Sequence, residues 1–231
     1  ESEGFMYEIV ANSICGVDVD KFDYLMRDSF HIDGSTKFDA MAFIKTARAI
    51  NNHICYPAKL ILELQDMFQT RYGLHKKVYN HSVVKAIEYM AADALILADK
   101  VLEFSRTPDD WLLPTDGLLD TIRYSNDNRL KEAKDIIRRI DERDLYTCVH
   151  EEVLAVNRKP KMPYISPTDI VQDIRQGFSS GKSGHPMPKV FFYDTKDITK
   201  CFKMDTNEVS RILPPCYLER LVRVFVRKDR P

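Results

Sequence analysis

The apolar residues Val83, Ile87, Met90, Ala94, Leu97 and Val101 recur in alternating steps of four and three. That is the period of one buried stripe along a helix of about five turns, and a stripe of this length requires a packed interior. The 231 residues leave room for one large domain or two small ones. With 8 Gly and 11 Pro the chain lies well below low-complexity composition. Lys and Arg (34) nearly balance Asp and Glu (35), so no global field gathers nucleic acid or an anionic membrane, and any polyanion site must be local. No run approaches the roughly 18 apolar residues of a membrane span, and no secretory signal pattern opens the chain. Residue 1 is Glu, with no initiator Met, which reads as a fragment of something longer.

Further helices are expected over residues 37–50, with Phe38, Met41, Ile44, Lys45 and Arg48 in helical order, and over residues 60–69, with Pro57 at the start. Beyond Phe104, Pro108, Asp109, Asp110, Pro114 and Asp116 mark a connection. Residues 121–124 and 131–141 resume helical spacing, and Arg138, Arg139 and Arg143 read as a solvated face. Residues 157–188 hold five prolines and a Ser/Gly-rich loop at 179–184, a mobile segment in this reading. Two strands follow, over residues 189–194 and over 221–227, where Val222, Val224 and Val226 alternate with Arg223, Phe225 and Arg227. The architecture expected is mainly α, followed by a smaller α+β lobe, with no internal repeat. Cys15, Cys55, Cys148, Cys201 and Cys216 contain no CxxC pair and read as reduced thiols without a role in a site.

Gly177, Gly181, Lys182 and Ser183 imitate a phosphate loop, but three residues separate the glycines where four are needed, and residues 169–176 read as helix instead of the required strand. More informative is the segment 16–28. On a helix, Asp20, Lys21, Tyr24, Arg27 and Asp28 fall on one face and Phe22, Leu25 and Met26 on the other. A solvated amphipathic helix has the same period, yet carboxylate, ammonium and phenol together suit a metal ion, a phosphate and a sugar hydroxyl. After a turn-like Tyr72 and Gly73, Arg71, His75 and Tyr79 stand four apart, with Lys76 and Lys77 beside them. Arg offers a planar fork for phosphate oxygens, His donates to an anion, and Tyr stacks on a base or bonds a ribose; an exposed helix face is the plain alternative.

At residues 7–10, 16–24, 27 and 28 the chain resembles the SAM and HD domain-containing deoxynucleoside triphosphate triphosphohydrolases of the HD-domain phosphohydrolase superfamily. The resemblance continues through Phe43, Ile44, Lys45, Ala47 and Arg48, then Asp66, Met67, Phe68, Thr70, Arg71, Leu74, His75, Tyr79 and His81. It returns at Arg123, Tyr124, Ser125, Leu130 and Lys131, and at residues 207–214 and 220–227. It lapses at about residues 103–118 and 149–189.

The resemblance implies that residues 1–104 are the carboxyl-terminal portion of an HD-type helical catalytic domain and 105–231 an α+β lobe, mobile near 157–188. It implies cleavage of dNTPs to deoxynucleoside and triphosphate by water activated on a divalent transition metal (Fe, Mn or Zn) held by two His and two Asp, with Mg at the nucleotide phosphates. By position Asp20 is one metal ligand, and no catalytic set is complete in this chain. By the same resemblance Lys21 and Arg71 match the family's triphosphate contacts, Tyr24, Asp28 and Tyr79 match the residues that hold and select the deoxyribose, His75 matches a residue of the same pocket, and Asn80 stands where the family has Gln. GTP or dNTP regulators between subunits of a tetramer would meet Lys59, His81 and Arg227. Two family arginines are replaced by Ala42 and Pro57, each a loss of about 1.5–3 kcal/mol of charge-assisted contact, so regulation is expected to be weakened or rearranged. His31, His53, His75, His81, His150 and His185 are the histidines, and none precedes Asp. The chain alone is therefore expected to be inactive, and poorly soluble. A catalytically dead nucleotide-binding or regulatory paralogue is the competing reading. Single-stranded nucleic acid, through Arg220, Arg223, Arg227, Lys228 and Arg230, is a third. Nucleus or cytosol is the expected location, the nucleus by resemblance alone.

Overall fold

The computed structural model describes residues 4–34, 38–110, 115–178, 184–205 and 216–227. Residues 179–183 of the loop singled out above, the stretch 207–214, Lys228 and Arg230 lie outside the described residues. The chain divides into two compact units. One comprises Glu1–Tyr79, Val153–Lys159 and Ile174–Leu221, the other Asn80–Glu152, Pro160–Asp173 and Val222–Pro231.

The first unit opens with α1 (Gly4–Val10) and α2 (Val19–Asp33). Asp18 caps α2 from extended backbone and accepts the Lys21 N–H at 3.1 Å; at the other end Gly34, at φ 71°, donates its N–H to Phe30 at 3.0 Å. Asp39 caps α3 (Ala40–Thr46) by accepting the Met41 N–H at 2.9 Å. The helix expected to reach Ile50 stops at Thr46, because Ala47 turns to ψ 142° and residues 48–57 form a hairpin of β1 (Arg48–Ile50) and β2 (His53–Pro57). Its two central residues, Asn51 and Asn52, have φ 51° and 62°, the geometry of a type I′ turn, which Asn tolerates well.

β2 pairs in parallel with β5 (Phe191–Asp194), Cys55 opposite Phe191 and Tyr56 opposite Phe192, and β5 pairs antiparallel with β6 (Asp197–Phe202), giving the order β1-β2-β5-β6. After a single 3₁₀ turn (Ala58–Leu60), α4 (Ile61–Leu74) runs on into a π-helical turn (His75–Tyr79). Tyr72 and Gly73 are thus helical, not a turn. Val17, Leu25, Phe43, Leu64, Met67, Met187, Val190 and Phe192 are fully buried in one cluster, where each large side chain contributes about 1.5–3 kcal/mol of burial. Phe22 stacks on Phe43 at 5.6 Å, and Tyr56 meets the Phe43 ring at 5.7 Å.

In the second unit the long helix is α5 (Ser82–Leu102), packed on α7 (Lys131–Asp141), with α6 (Leu118–Tyr124) beside α7. The buried line of α5 is Ala86, Met90, Ala94 and Ala98. Met90 and Ala94 belong to the predicted stripe, whereas Val83 is 42% exposed: alanines let a neighbouring element approach closely, so the buried line rotates toward them. Ile122, Leu130, Ala133 and Ile137 complete one cluster, and Tyr146 and Phe225 join Ala86 and Met90 in another.

The three-stranded sheet has the order β3-β7-β4, from β3 (Thr147–Ala155), β7 (Leu218–Val226) and β4 (Ile170–Gly177). Residues 169–176, expected as helix, lie mostly in β4. Exposure alternates along them, with Gln172 and Gln176 buried, so the period is that of a strand carrying polar residues inward. In β7 the expected alternation fails. Residues 221–225 are all buried, Arg223 included at 6% exposure.

These strands overturn the mainly helical architecture with a smaller lobe. Of the described residues 48% are helical and 22% lie in strands, in two sheets, and the first sheet is built into the unit that contains α1 to α4. The error lay in short strands: β1 has three residues and β2 five, too few to show a period. Because Asn51 sits at positive φ, Asn51→Val is expected to destabilise the protein by about 1–2 kcal/mol, read as a lower urea midpoint at unchanged m-value.

Candidate functional site

The loop leading into α2 is locked before the helix begins. The buried Asn12 accepts the Ile14 and Cys15 N–H groups at 3.0 and 3.1 Å, and its own N–H donates to the Asp18 carboxylate at 3.0 Å. Residues 11–16 then line a cavity of about 330 Å³ together with Asp18, Asp20, Lys21, Pro186 and Lys189. Lys21 was placed on an ionic helix face by its period, yet it is only 8% exposed, and its Nζ donates to the Gly16 carbonyl. Burial holds its ammonium below the usual range against the pull of Asp18, and the Arg71 charge pushes the same way as burial. Asp20, in the first turn of α2, is exposed. Arg27 turns outward to pair with Asp23 at 2.7 Å.

α4 and the π turn bring the second predicted group against α2. Arg71 is 7% exposed, donates from Nη1 to the Gly177 carbonyl at 2.6 Å, and shares a hydrogen bond with Tyr24. The Tyr79 hydroxyl donates to Asp28, its ring meets Tyr24 edge-on at 6.3 Å, and His75 packs on it at 4.9 Å. Burial raises the Tyr24 and Tyr79 phenols above their usual range, and for Tyr79 the Asp28 carboxylate adds to the rise. Both phenols are protonated at neutral pH, Tyr79 donating to Asp28 and Tyr24 accepting from Arg71. Tyr24, Asp28, Arg71, His75 and Tyr79 thus form one connected network, with Lys21 a turn away from Tyr24. Lys76 leaves it, pairing with Glu219 at 3.0 Å.

The remaining predicted residues stand apart from this network. Lys59 is exposed on the 3₁₀ turn of the same unit. Ala42 lies in α3 and Pro57 ends β2. Asn80, His81 and Arg227 belong to the second unit. The Asn80 carbonyl accepts from Arg223, and His81 caps α5 by accepting the Val83 N–H at 3.3 Å. Arg227 grips Asp93 with two bonds, 2.7 and 2.9 Å, and lies over the Tyr146 ring at 5.7 Å. Sequence reasoning missed Lys189 and the Gly177 carbonyl; Arg223, read as a basic contact for single-stranded nucleic acid, is instead buried and bonds Glu151 at 2.7 Å. Only the capping pattern of Asp18 ahead of Lys21 could have pointed to the locked loop.

Among the described residues no three His, Cys, Asp or Glu side chains gather to hold a metal ion. A catalytic ion needs about four protein ligands, so Asp20 does not make a metal centre with what surrounds it here. No helix of the described residues is long and apolar enough to cross a membrane.

No protein-family model matches the chain. Individual proteins do. Over an alignment of 243 positions that covers 98% of this chain, it is 34% identical to a deoxynucleoside triphosphate triphosphohydrolase SAMHD1 homolog of Dictyostelium discoideum. Over 265 aligned positions covering 99% of this chain, it is 32% identical to the deoxynucleoside triphosphate triphosphohydrolase SAMHD1 of Homo sapiens. A putative HD domain-containing protein of Acanthamoeba polyphaga mimivirus is 28% identical over 250 aligned positions covering 95% of this chain. The chain spans 47%, 42% and 52% of these relatives, about half their length.

The Arg227 and Asp93 pair yields a pH prediction. Burial alone would raise the Asp93 carboxyl, but hydrogen bonds from Arg227 and Tyr146 outweigh it and hold it below the ordinary value. The stability it contributes is present above the unfolded pKa of about 3.9 and is lost as pH falls through the lower native value. Asp93→Asn should therefore lower the urea midpoint at pH 7, and the gap to the parent should close as the pH drops below 4.

Proposed function

Because the chain belongs to the family of the SAMHD1 homologues, we propose that it supplies the nucleotide-holding part of a deoxynucleoside triphosphate triphosphohydrolase. The substrate is a dNTP, and the products are the deoxynucleoside and inorganic triphosphate. The observation that carries this reading is the meeting of two sequence-distant groups, Tyr24 and Asp28 on α2 with Arg71, His75 and Tyr79 on α4 and its π turn.

Each group has a defined task. Lys21, which lines the cavity, and the buried Arg71, whose charge acts on it, are two desolvated cations suited to the oxygens of a triphosphate. The Tyr79 hydroxyl, whose proton goes to Asp28, and the remaining lone pairs of Asp28 offer acceptors to a deoxyribose hydroxyl, and the Tyr24 ring beside them is the group set to exclude a 2′-hydroxyl. His75, edge-on to Tyr79, positions that ring. Asp20 would give one carboxylate to the family's metal centre, which the described residues do not complete. Residues 1–104 fall in the catalytic part and 105–231 in the lobe that follows it, and Lys59, His81 and Arg227 are the candidates for contacts with a regulatory nucleotide in an oligomer.

Two measurements test this. Calorimetry of dGTP on this chain should show binding that weakens about tenfold or more in Lys21→Ala and Arg71→Ala, each of which deletes a charge-assisted contact. The full-length protein, supplied with divalent metals, should release triphosphate from dGTP, faster with added GTP. Binding without hydrolysis under every metal would assign the regulatory paralogue instead.

A further inference from the structure

Arg71 reaches from α4 to a backbone carbonyl 106 residues further along the chain, that of Gly177 at the end of β4. A guanidinium this deeply buried is costly unless its donors find acceptors, so those acceptors decide where its fork sits. The place of the Gly177 carbonyl is in turn set by β7. Beside it the Phe178 N–H donates to Tyr217 O at 3.2 Å, and the Gln176 amide donates to Glu219 at 2.8 Å. Glu219 also accepts the hydroxyl of Tyr72, the next residue after Arg71, at 3.1 Å.

Gly177 is not among the residues at positive φ, so backbone conformation does not require a glycine there. Space does. A methyl group on it would overlap the Tyr217 carbonyl oxygen and stand 3.1 Å from Leu218 Cα and Cδ1. Every other residue type would push β4 off β7 and carry the carbonyl away from Arg71.

We propose that Gly177 is a positioning residue for the phosphate-binding guanidinium: its missing side chain lets β4 close on β7, so that its carbonyl fixes the Arg71 fork against Tyr24. The consequence for nucleotide affinity rests on the function proposed above; the restraint on Arg71 does not.

The test uses the intact chain with the Arg side chains labelled with ¹⁵N, and inorganic triphosphate as ligand. In the parent, the Arg71 guanidinium should show slowed rotation and slowed proton exchange. In Gly177→Ala these signals should average, and the affinity for triphosphate should fall about tenfold. Adding Gly177→Ala to Arg71→Met should weaken binding no further, since both changes act through one contact. Should Gly177→Ala not fold, Phe178→Pro removes the N–H that ties β4 to Tyr217 without adding an atom to Gly177, and the same averaging is expected. A freely rotating Arg71 in the parent, or restrained signals retained in the folded variants, overturns the inference. A parent with a restrained Arg71 that the variants release, but with no affinity for triphosphate, upholds the positioning and overturns the phosphate reading.

Discussion

The first unit depends on a parallel pairing between β2 and β5, residues 55–57 against residues 191–193. Parallel neighbours cannot be joined by a tight turn, and here everything from α4 through β4 intervenes. Closing so long a loop costs entropy, though the cost grows only slowly with length. What offsets it is burial: the pairing carries Val190 and Phe192, with Met187 just before them, into the cluster formed by Val17, Leu25, Phe43, Leu64 and Met67. Those same residues anchor the inner sides of α2 and α4. The two helices that bear the candidate site are therefore held at their spacing by a segment late in the chain.

That dependence explains how two cations survive with so little exposure. Lys21 and Arg71 are 8% and 7% exposed, and an unsatisfied charge at such depth would cost several kcal/mol. Each is met by a backbone carbonyl, Gly16 for Lys21 and Gly177 for Arg71. Both acceptors are glycines, for different reasons. Gly16 turns the chain at φ 70°, whereas Gly177 admits the close approach of β7.

How far the sequence could be read follows from the same physics. Long periodic helices were legible: α7 has the bounds its spacing predicts, and α5 differs only in the rotation of its buried line. The ionic residues of α2 were legible as a group but not in their burial, because period alone does not tell a buried Lys21 from an exposed Asp20. β1 and β2 escaped because strands of three and five residues show no period; Asn51 and Asn52 were the available turn signal. β4 escaped because its inward residues are the glutamines Gln172 and Gln176. The Gly177 acceptor was out of reach altogether, since a carbonyl has no residue type and its distance from Arg71 is set by strand pairing.

Lys21 and Arg227 show what separates a cation ready for an anionic ligand from one already committed. Lys21 donates to a neutral carbonyl, which satisfies a donor without cancelling the charge, and its ammonium lines an open cavity. Arg227 is held by both oxygens of Asp93, with Thr168 O as a third acceptor. A phosphate approaching Arg227 must displace or share a bidentate carboxylate, the arrangement that fits a guanidinium best. It also meets the Asp93 charge, which the Tyr146 hydroxyl stabilises at 2.8 Å. An anion at Lys21 would face a desolvated ammonium bonded to no carboxylate, with Asp18 and Asp20 lining the same cavity. Lys21 is thus bonded to a neutral acceptor at a cavity wall, while at Arg227 any new anion must first displace a contact of the protein's own.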